Sequence, residues 1–281
     1  MKKLIYFLLL LISVSAEAQQ TDTTKKISIA DTLKKDLLTA PDTVPHLRSK
    51  SWTLIPPAVL VGYGITSFYA KPLRRLDRYI YKEANEHDII TTSHLENYFQ
   101  YAPVALTYGL NLVGVHGKNT FVDRTFIYLL SQGMLQLTTF TVKRSTHRLR
   151  PNGANRYSFP SGHTANAFAG AEFMAQELSG KSEWYGALGY AFATTTGIFR
   201  IYHQDHWFSD VIAGAGCGIL ATKGAYLLYP VIRNRLTRAG RQKEKNRDIP
   251  PELQKKKQPK NTLLLPTYQG GTVGLSFAME L

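Results

Sequence analysis

Three short clusters of residues carry side chains that could together bind and attack a phosphate-like anion. They are the stretch from Lys143 to Arg150-Pro151, the tetrapeptide Pro160-Ser161-Gly162-His163, and the triplet Arg200, His206 and Asp210. Three of these residues, Lys143, Arg150 and Arg200, are permanent cations, and Arg can hold a phosphate with two parallel hydrogen bonds. Brought to one point, they predict a binding site for a dianion.

The second cluster stands directly before a helical run, which gives its backbone a role. Ser161 is placed as an N-cap, so the N–H groups of Gly162 and His163 lie at a helix N-terminus. Such an end binds anions through unpaired N–H donors and the positive end of the helix dipole. Gly162 also allows a ligand to approach the backbone closely. We therefore expect Ser161 and Gly162 to share in holding the anion.

The third cluster contains a carboxylate and an imidazole at helical spacing. His206 and Asp210 are four residues apart and would share one face of a helix. Asp210 could then accept from Nδ1–H of His206, which leaves Nε2 unprotonated and directed at the anion. His163, on the opposite side, could protonate a leaving alkoxide and then deprotonate an attacking water.

Other histidines give weaker signals. His203, His206 and Asp210 could be interpreted as metal ligands, but the surrounding cations would repel a metal, so no metal site is expected. We assign no role to His147 or His203. The isolated histidines are interpreted as surface or core residues: His46, His87, His94 and His116.

A helical bundle is the scaffold that could bring these clusters together. Apolar helical segments are predicted near 52–70, 101–116, 121–142, 163–179, 184–202 and 207–232, with a short amphipathic stretch at 73–85. The absence of strand-like alternation predicts an all-α bundle of about six core helices. The segment after His163 leads away from the first loop and the next one returns, so the three clusters should meet at one end of the bundle.

The chain ends differ in composition from this middle. Residues 1–18 have a basic start, an apolar run of twelve and an Ala-Glu-Ala cleavage pattern, which predicts a signal peptide. Residues 19–50 read as a flexible leader, 51–232 as the helical catalytic domain, 233–260 as a basic linker or tail, and 261–281 as a small hairpin. We expect export to the cell envelope, in a periplasmic or membrane-associated form rather than a polytopic one.

The 281 residues have a net charge of +14 and one cysteine, which excludes a disulfide framework. Without the signal peptide the charge is +13. Residues 233–260 supply eight of these charges, from eleven Lys/Arg against three Asp/Glu, and Lys143 to Arg150 supply four. Nucleic acid is therefore not the favoured partner. The 233–260 segment is either a solvated tail or a tether to an anionic membrane surface.

Taken in order, the three clusters resemble the three-part signature of the type 2 phosphatidic acid phosphatase / vanadium haloperoxidase superfamily, over roughly residues 100–232. This resemblance implies hydrolysis of phosphomonoesters through a phosphohistidine, without metal or cofactor. It implies that His206 is the nucleophile, Asp210 its orienter and His163 the acid and base. The implied phosphate ligands are Lys143, Arg150, Ser161, Gly162 and Arg200. Phe199 departs from the Ser that often precedes the motif arginine, which predicts a local change in packing.

The residues and the resemblance together favour a phosphatase that acts on lipid phosphates or lipid pyrophosphates. Three alternatives stay open: a soluble exported non-specific acid phosphatase, a vanadate-dependent haloperoxidase, and a non-catalytic envelope protein that binds phospholipid.

Overall fold

The computed structural model describes residues 51–86, 94–247, 262–269 and 272–279. The predicted signal peptide and leader, residues 1–50, lie outside the described residues. After a 3₁₀ turn at Ser51–Leu54, the described helices are α1 (Ile55–Thr66), α2 (Lys71–Glu86), α3 (Glu96–Phe99), α4 (Ala102–Leu112), α5 (Phe121–Thr146), α6 (Gly162–Leu178), α7 (Glu183–Tyr202) and α8 (Phe208–Arg247). The prediction of an all-α bundle is confirmed for the described residues up to Arg247.

Helix α6 lies at the centre of the bundle. Most of its side chains are buried, and it packs along α7 after the short segment 179–182 reverses the chain. One core cluster joins α5, α6 and α8 through Ile127, Phe173 and Tyr226. Because α6 begins where α7 ends, the segments that precede and follow these two helices lie at the same end of the bundle.

Helices α6 and α8 approach each other along small residues. A Cβ atom built on Gly218 would lie 2.2 Å from the backbone oxygen of Ala165 and 2.8 Å from the nitrogen of Ala169. One built on Gly214 would lie 2.6 Å from the backbone oxygen of Ser161. These backbone atoms cannot move independently of α6, so the glycines fix how closely α8 packs beneath the start of α6.

We expect Gly218→Ala to destabilise the protein by about 3 kcal/mol, because the added methyl group would separate two packed backbones. Gly133→Ala is the matched control, since a Cβ atom on Gly133, within α5, meets no atom within 4 Å. That change should be neutral or stabilise by about 0.5–1 kcal/mol, as alanine favours the helix. Thermal unfolding of both variants measures the difference, and equal melting temperatures would contradict the close packing.

Two helix ends differ from the prediction. Helix α5 continues to Thr146, so Lys143 lies in its last turn rather than in a loop. Helix α8 continues through Pro230 to Arg247, so the first half of the basic segment is helical. The change in composition near residue 232 does not end the helix because Arg, Lys, Gln and Glu are good helix formers.

The described residues divide into two compact units, one before and one after the boundary between Val231 and Ile232. In the second, strands β1 (Thr262–Gln269) and β2 (Thr272–Met279) pair antiparallel as a hairpin, with Gln269 opposite Thr272 and Thr262 opposite Met279.

Among the described residues, one helical stretch, Phe208–Thr237, is long and apolar enough to cross a membrane, and most of it is buried inside the fold. The segments Trp52–Thr66 and Lys71–Glu86 would count as a second only if taken together, and they meet at 90°. Buried core helices pass the same test of length and composition.

Candidate active site

The first cluster begins in the last turn of α5. The Lys143 ammonium donates to the backbone oxygen of Tyr157 at 2.8 Å, and its side chain passes over the start of α6, where Cε lies 3.9 Å from a Cβ position on Gly162. His147 ends the helix in the left-handed conformation, with φ of 45°. The chain then leaves α5 toward Arg150.

The second cluster forms the N-terminus of α6, as the sequence predicts. Ser161 is the N-cap, and its hydroxyl accepts from the backbone N–H of Thr164 at 3.5 Å. Ser161 is fully buried, so its hydroxyl serves the cap and the backbone N–H groups remain for an anion. His163 is half-buried, and its Nε2 donates to Oδ1 of Asn97 at 3.0 Å.

In the third cluster, Arg200 lies in the last turn of α7 and His206 in the turn before α8. Arg200 Nη2 donates to Oδ2 of Asp205 at 2.7 Å, and Arg150 Nη1 donates to Oδ1 of the same carboxylate at 3.0 Å. Asp205, which is not among the predicted site residues, thus holds the two guanidinium groups side by side.

Asp210 lies in the first turn of α8 and is fully buried. Its Oδ2 is 3.9 Å from Nδ1 of His206, so the two residues are neighbours without a direct hydrogen bond. The carboxylate accepts instead from Arg148 Nη1 at 2.7 Å, Ser158 Oγ at 2.5 Å and the backbone N–H of Trp207 at 2.9 Å. Burial alone would favour the neutral acid, but these hydrogen bonds and the charge of Arg148 hold the pKa of Asp210 below its usual range.

Both histidines are held neutral. Burial lowers the pKa of His206 to about 4, and the charges of Lys143 and Arg200 act in the same direction. Burial also lowers the pKa of His163 to about 4, again with help from Arg200 and from His206 itself. A neutral imidazole retains a lone pair, so each histidine can accept a proton or attack an electrophile near neutral pH.

The cations influence one another as well. Burial lowers the pKa of Lys143 to about 8, and repulsion from Arg150 and Arg200 adds to the effect. Because each of these groups shifts the pKa of another, Lys143, both arginines and both histidines lie close together, and the space among them is the candidate anion-binding volume. An anion bound there would relieve the repulsion.

Several donors in this volume have no partner. Within the part of the chain that the structure describes, Nε of Arg150, Nε of Arg200 and Nδ1 of His206 are buried and make no hydrogen bond. Each buried N–H left unpaired costs about 1–3 kcal/mol. Two guanidinium donors without acceptors, beside a helix N-terminus, fit a phosphate group with oxygens on several sides.

Three elements contribute residues that sequence analysis missed. Arg148 contacts Asp210, and its Nη2 donates at 2.6 Å to Asp77, a buried residue of α2. Glu96 and Asn97 of α3 contact Arg200 and His163 respectively. In the sequence, Arg148 and Asp77 look like ordinary surface charges. Only their contacts with buried partners show that they belong to the site.

Phe199 takes the position where the signature often has Ser. It is buried, with its ring 6.4 Å from that of Phe99 and 5.9 Å from that of His203. The ring therefore packs among aromatic side chains at the end of α7, and the predicted change in packing relative to the family stays a prediction.

The fold and the site together define a helical bundle with a cluster of cationic side chains and histidines at one end. Residues 124–234 match the family model of the PAP2 superfamily. The resemblance drawn from the three motifs is thereby confirmed.

Curated proteins match parts of the chain in sequence. The chain is 34% identical over 139 residues to a lipid A 1-phosphatase of Porphyromonas gingivalis, covering 49% of this chain and 31% of the relative. It is 37% identical over 83 residues to a probable lipid phosphate phosphatase 4 of Arabidopsis thaliana, covering 26% and 27%. An undecaprenyl-diphosphatase of Sulfolobus acidocaldarius is 36% identical over 81 residues, covering 29% and 37%. The chain thus spans about a third of the length of the curated relatives it matches.

Among solved structures, a transmembrane PAP2-type phosphatidylglycerolphosphate phosphatase from Bacillus subtilis aligns with a TM-score of 0.44 at 19% identity, over 68% of this chain and 97% of that one. LpxE of Aquifex aeolicus aligns with a TM-score of 0.37 at 19% identity, over 64% and 98%.

Proposed function

We propose that this protein is a phosphatase that removes phosphate from a lipid phosphate or lipid pyrophosphate at the cell envelope, through a phosphohistidine on His206. The observation that carries the proposal is the set of buried, unpaired donors on Arg150, Arg200 and His206 beside the start of α6. The names of the relatives describe phosphatases, which supports phosphate hydrolysis as the reaction of this protein.

In the proposed first step the phosphoryl oxygens accept hydrogen bonds from Lys143, Arg150 and Arg200, and from backbone N–H groups at the start of α6. Nε2 of His206 attacks phosphorus in line with the leaving oxygen, so an N–P bond forms as the P–O bond breaks. The cations stabilise the negative charge on the phosphoryl oxygens throughout. They supply the charge neutralisation that many phosphatases obtain from metal ions.

His163 is the residue that donates and accepts protons in the proposed reaction. Burial holds the pKa of His163 at about 4, and a bound dianion would raise it by favouring the imidazolium. His163 then gives its proton to the leaving alkoxide. In the second step it takes a proton from water, the water oxygen attacks phosphorus, the N–P bond breaks, and inorganic phosphate leaves. The Asp210 carboxylate stabilises the positive charge that His206 carries between the two steps.

A lipid substrate is favoured over a soluble ester by the surface of the bundle. One face of α5 exposes four large apolar side chains, each more than half accessible: Phe126, Leu129, Leu137 and Phe140. Apolar surface of this kind on one helix face marks contact with a lipid or protein partner. The basic segment after residue 232 would add attraction to anionic lipid, by about 1 kcal/mol per basic residue near the surface.

The test compares two substrates that differ only in their chains: phosphatidic acid in mixed micelles, and soluble glycerol 3-phosphate. We expect the wild-type kcat/KM to be at least about 100-fold higher for the lipid, through binding energy from the chains, and His206→Ala to release phosphate from neither. Higher activity on the soluble ester would favour the acid-phosphatase alternative. Release of phosphate by His206→Ala at the wild-type rate would refute the mechanism.

The lowered pKa of Lys143 makes the alkaline side of the pH profile informative. Lys143 is charged below about pH 8 and loses its charge above it, so the wild-type kcat/KM should fall about tenfold per pH unit beyond that point. Lys143→Arg keeps its charge, and the ratio of its kcat/KM to the wild-type value should rise by the same factor. Substrate ionisation affects both proteins equally and cancels in the ratio. Parallel profiles up to about pH 10 would contradict a phosphate-binding role for Lys143.

A further inference from the structure

A second group of potential ligands lies beside the anion site, around Glu96. Three nitrogen atoms meet one oxygen of this carboxylate: His94 Nδ1 at 3.2 Å, His203 Nδ1 at 3.0 Å and Arg200 Nη1 at 3.2 Å from Oε1. The other oxygen, Oε2, is buried and has no hydrogen-bond partner among the described residues. Glu96 is itself fully buried. A carboxylate with one crowded and one unpaired oxygen is poorly satisfied by the protein alone.

We infer that His94, Glu96 and His203 form a binding site for a divalent transition-metal ion of the zinc type. Two imidazole nitrogens and one carboxylate oxygen are three protein ligands of the kind zinc takes when its fourth position stays open. Their ligand atoms all lie within 4.8 Å of one another. Two are imidazoles, which favours zinc, copper, nickel or cobalt over magnesium or calcium.

The spacing of the ligand atoms suits such an ion. Bonds of about 2.0–2.1 Å at tetrahedral angles place ligand atoms about 3.3 Å apart. The two measured separations from Glu96 Oε1, 3.2 Å to His94 and 3.0 Å to His203, are close to this value. The two imidazole rings are in edge-to-face contact, with centroids 5.0 Å apart and planes at 65°. Small rotations of the side chains would therefore admit an ion in place of the two Nδ1 protons.

Access and solvation also fit a metal site. The His94 side chain is 69% exposed, whereas those of His203 and Glu96 are 7% and 0% exposed. An ion could reach the buried carboxylate from the side of His94. Burial of the other two ligands would limit competition from water.

Arg200 is the group that opposes an ion, because its guanidinium contacts the same oxygen. Its second terminal nitrogen is held by Asp205 at 2.7 Å, so Arg200 keeps a carboxylate partner when Glu96 turns toward the ion. The unpaired Oε2 of Glu96 is also available to accept from Arg200. Arg200 thus contacts two carboxylates, Glu96 and Asp205, and the second of these also pairs with Arg150.

An ion at this site would have a consequence for the reaction, and this part rests on the proposed function. Glu96 orients Arg200, which is one of the proposed phosphate ligands. Metal binding would change that orientation, so occupation should raise KM for the phosphorylated substrate. The site is therefore regulatory in character, and the chemical steps do not pass through it.

The binding test uses the full chain after treatment with a chelator. Titration calorimetry with Zn²⁺, and visible absorption of added Co²⁺, should show one ion per chain with nitrogen and oxygen ligands. His94→Ala should weaken the affinity about 100-fold or more, since loss even of a supporting residue around a metal costs 10–100-fold. The matched control is His147→Asn, which removes an imidazole outside the cluster and should leave the affinity unchanged.

The outcomes separate the two proposals. Absence of binding by the wild type, or equal affinities in His94→Ala and His147→Asn, would overturn the metal site. Glu96→Gln provides a second variant that removes a ligand. Because the His94 side chain is exposed, we expect His94→Ala to fold like the wild type, and circular dichroism checks this. If the protein binds zinc as expected but hydrolyses no phosphate ester, the metal site stands and the proposed function fails.

Discussion

His206→Ala is expected to lower kcat for phosphate release by at least about 10⁴-fold, with little effect on the amount of folded protein. Removal of a nucleophile that forms a covalent intermediate has effects of this order, because the remaining binding groups cannot form the new bond. His206 is buried, its imidazole is held neutral, and its Nδ1 makes no direct hydrogen bond within the described structure. These properties suit a nucleophile and give the imidazole of His206 little part in stabilising the fold.

The measurement is single-turnover phosphate release, with His147→Asn as the control for loss of a nearby histidine. The control should retain activity within about threefold, because His147 lies at the end of α5 and is exposed. A kcat for His206→Ala within tenfold of the wild-type value would mean that another group attacks phosphorus.

Arg148→Ala is expected to destabilise the protein by about 3–5 kcal/mol. Arg148 bridges two buried carboxylates, with Nη1 at 2.7 Å from Asp210 and Nη2 at 2.6 Å from Asp77. Asp77 also accepts from the backbone N–H and the hydroxyl of Ser209, which ties α2 to the start of α8. Among the described residues, no other Lys or Arg forms an ion pair with Asp77 or Asp210. Removing Arg148 therefore leaves two buried charges uncompensated, and such losses have this magnitude.

Chemical denaturation measures the free energy of unfolding of Arg148→Ala, with Arg144→Ala as the control for loss of a nearby arginine. Arg144 stands four residues earlier, is exposed, and lies over the ring of Phe140, so its removal should cost less than about 1 kcal/mol. Adding Asp77→Asn to Arg148→Ala should recover part of the lost stability, because one of the two uncompensated charges disappears. A cost below 1 kcal/mol for Arg148→Ala would show that the bridge contributes little.

The core of the site could be predicted from the sequence because its residues lie at fixed places relative to two helices. Ser161 caps α6, and Arg200 ends α7, so the position of one helix pair determines where both motifs lie. Lys143 lies at this end of the bundle in either case: in a loop, as predicted, or in the last turn of α5, as the structure shows. Helical periodicity and short turns were enough for this part.

The groups that complete the site depend on contacts distant in sequence. Asp77 reaches Arg148 across 71 residues, and Glu96 reaches Arg200 across 104. Neither lies in a recognisable motif, and the packing of α2 and α3 cannot be derived from local periodicity. The sequence alone predicts a surface or core role for His94, because its contact with buried Glu96 depends on where α3 packs.

Direct detection of the phosphoenzyme tests the central claim most directly. Wild-type protein, mixed with a ³²P-labelled lipid phosphate and quenched within one turnover, should carry label on His206 that is stable to base and labile to acid. His163→Ala should both gain and lose this label more slowly than the wild type, because it lacks the acid of the first step and the base of the second, whereas His206→Ala should carry none. Turnover without any label on wild type or His163→Ala, or equal labelling of His206→Ala, would contradict a phosphohistidine at this position.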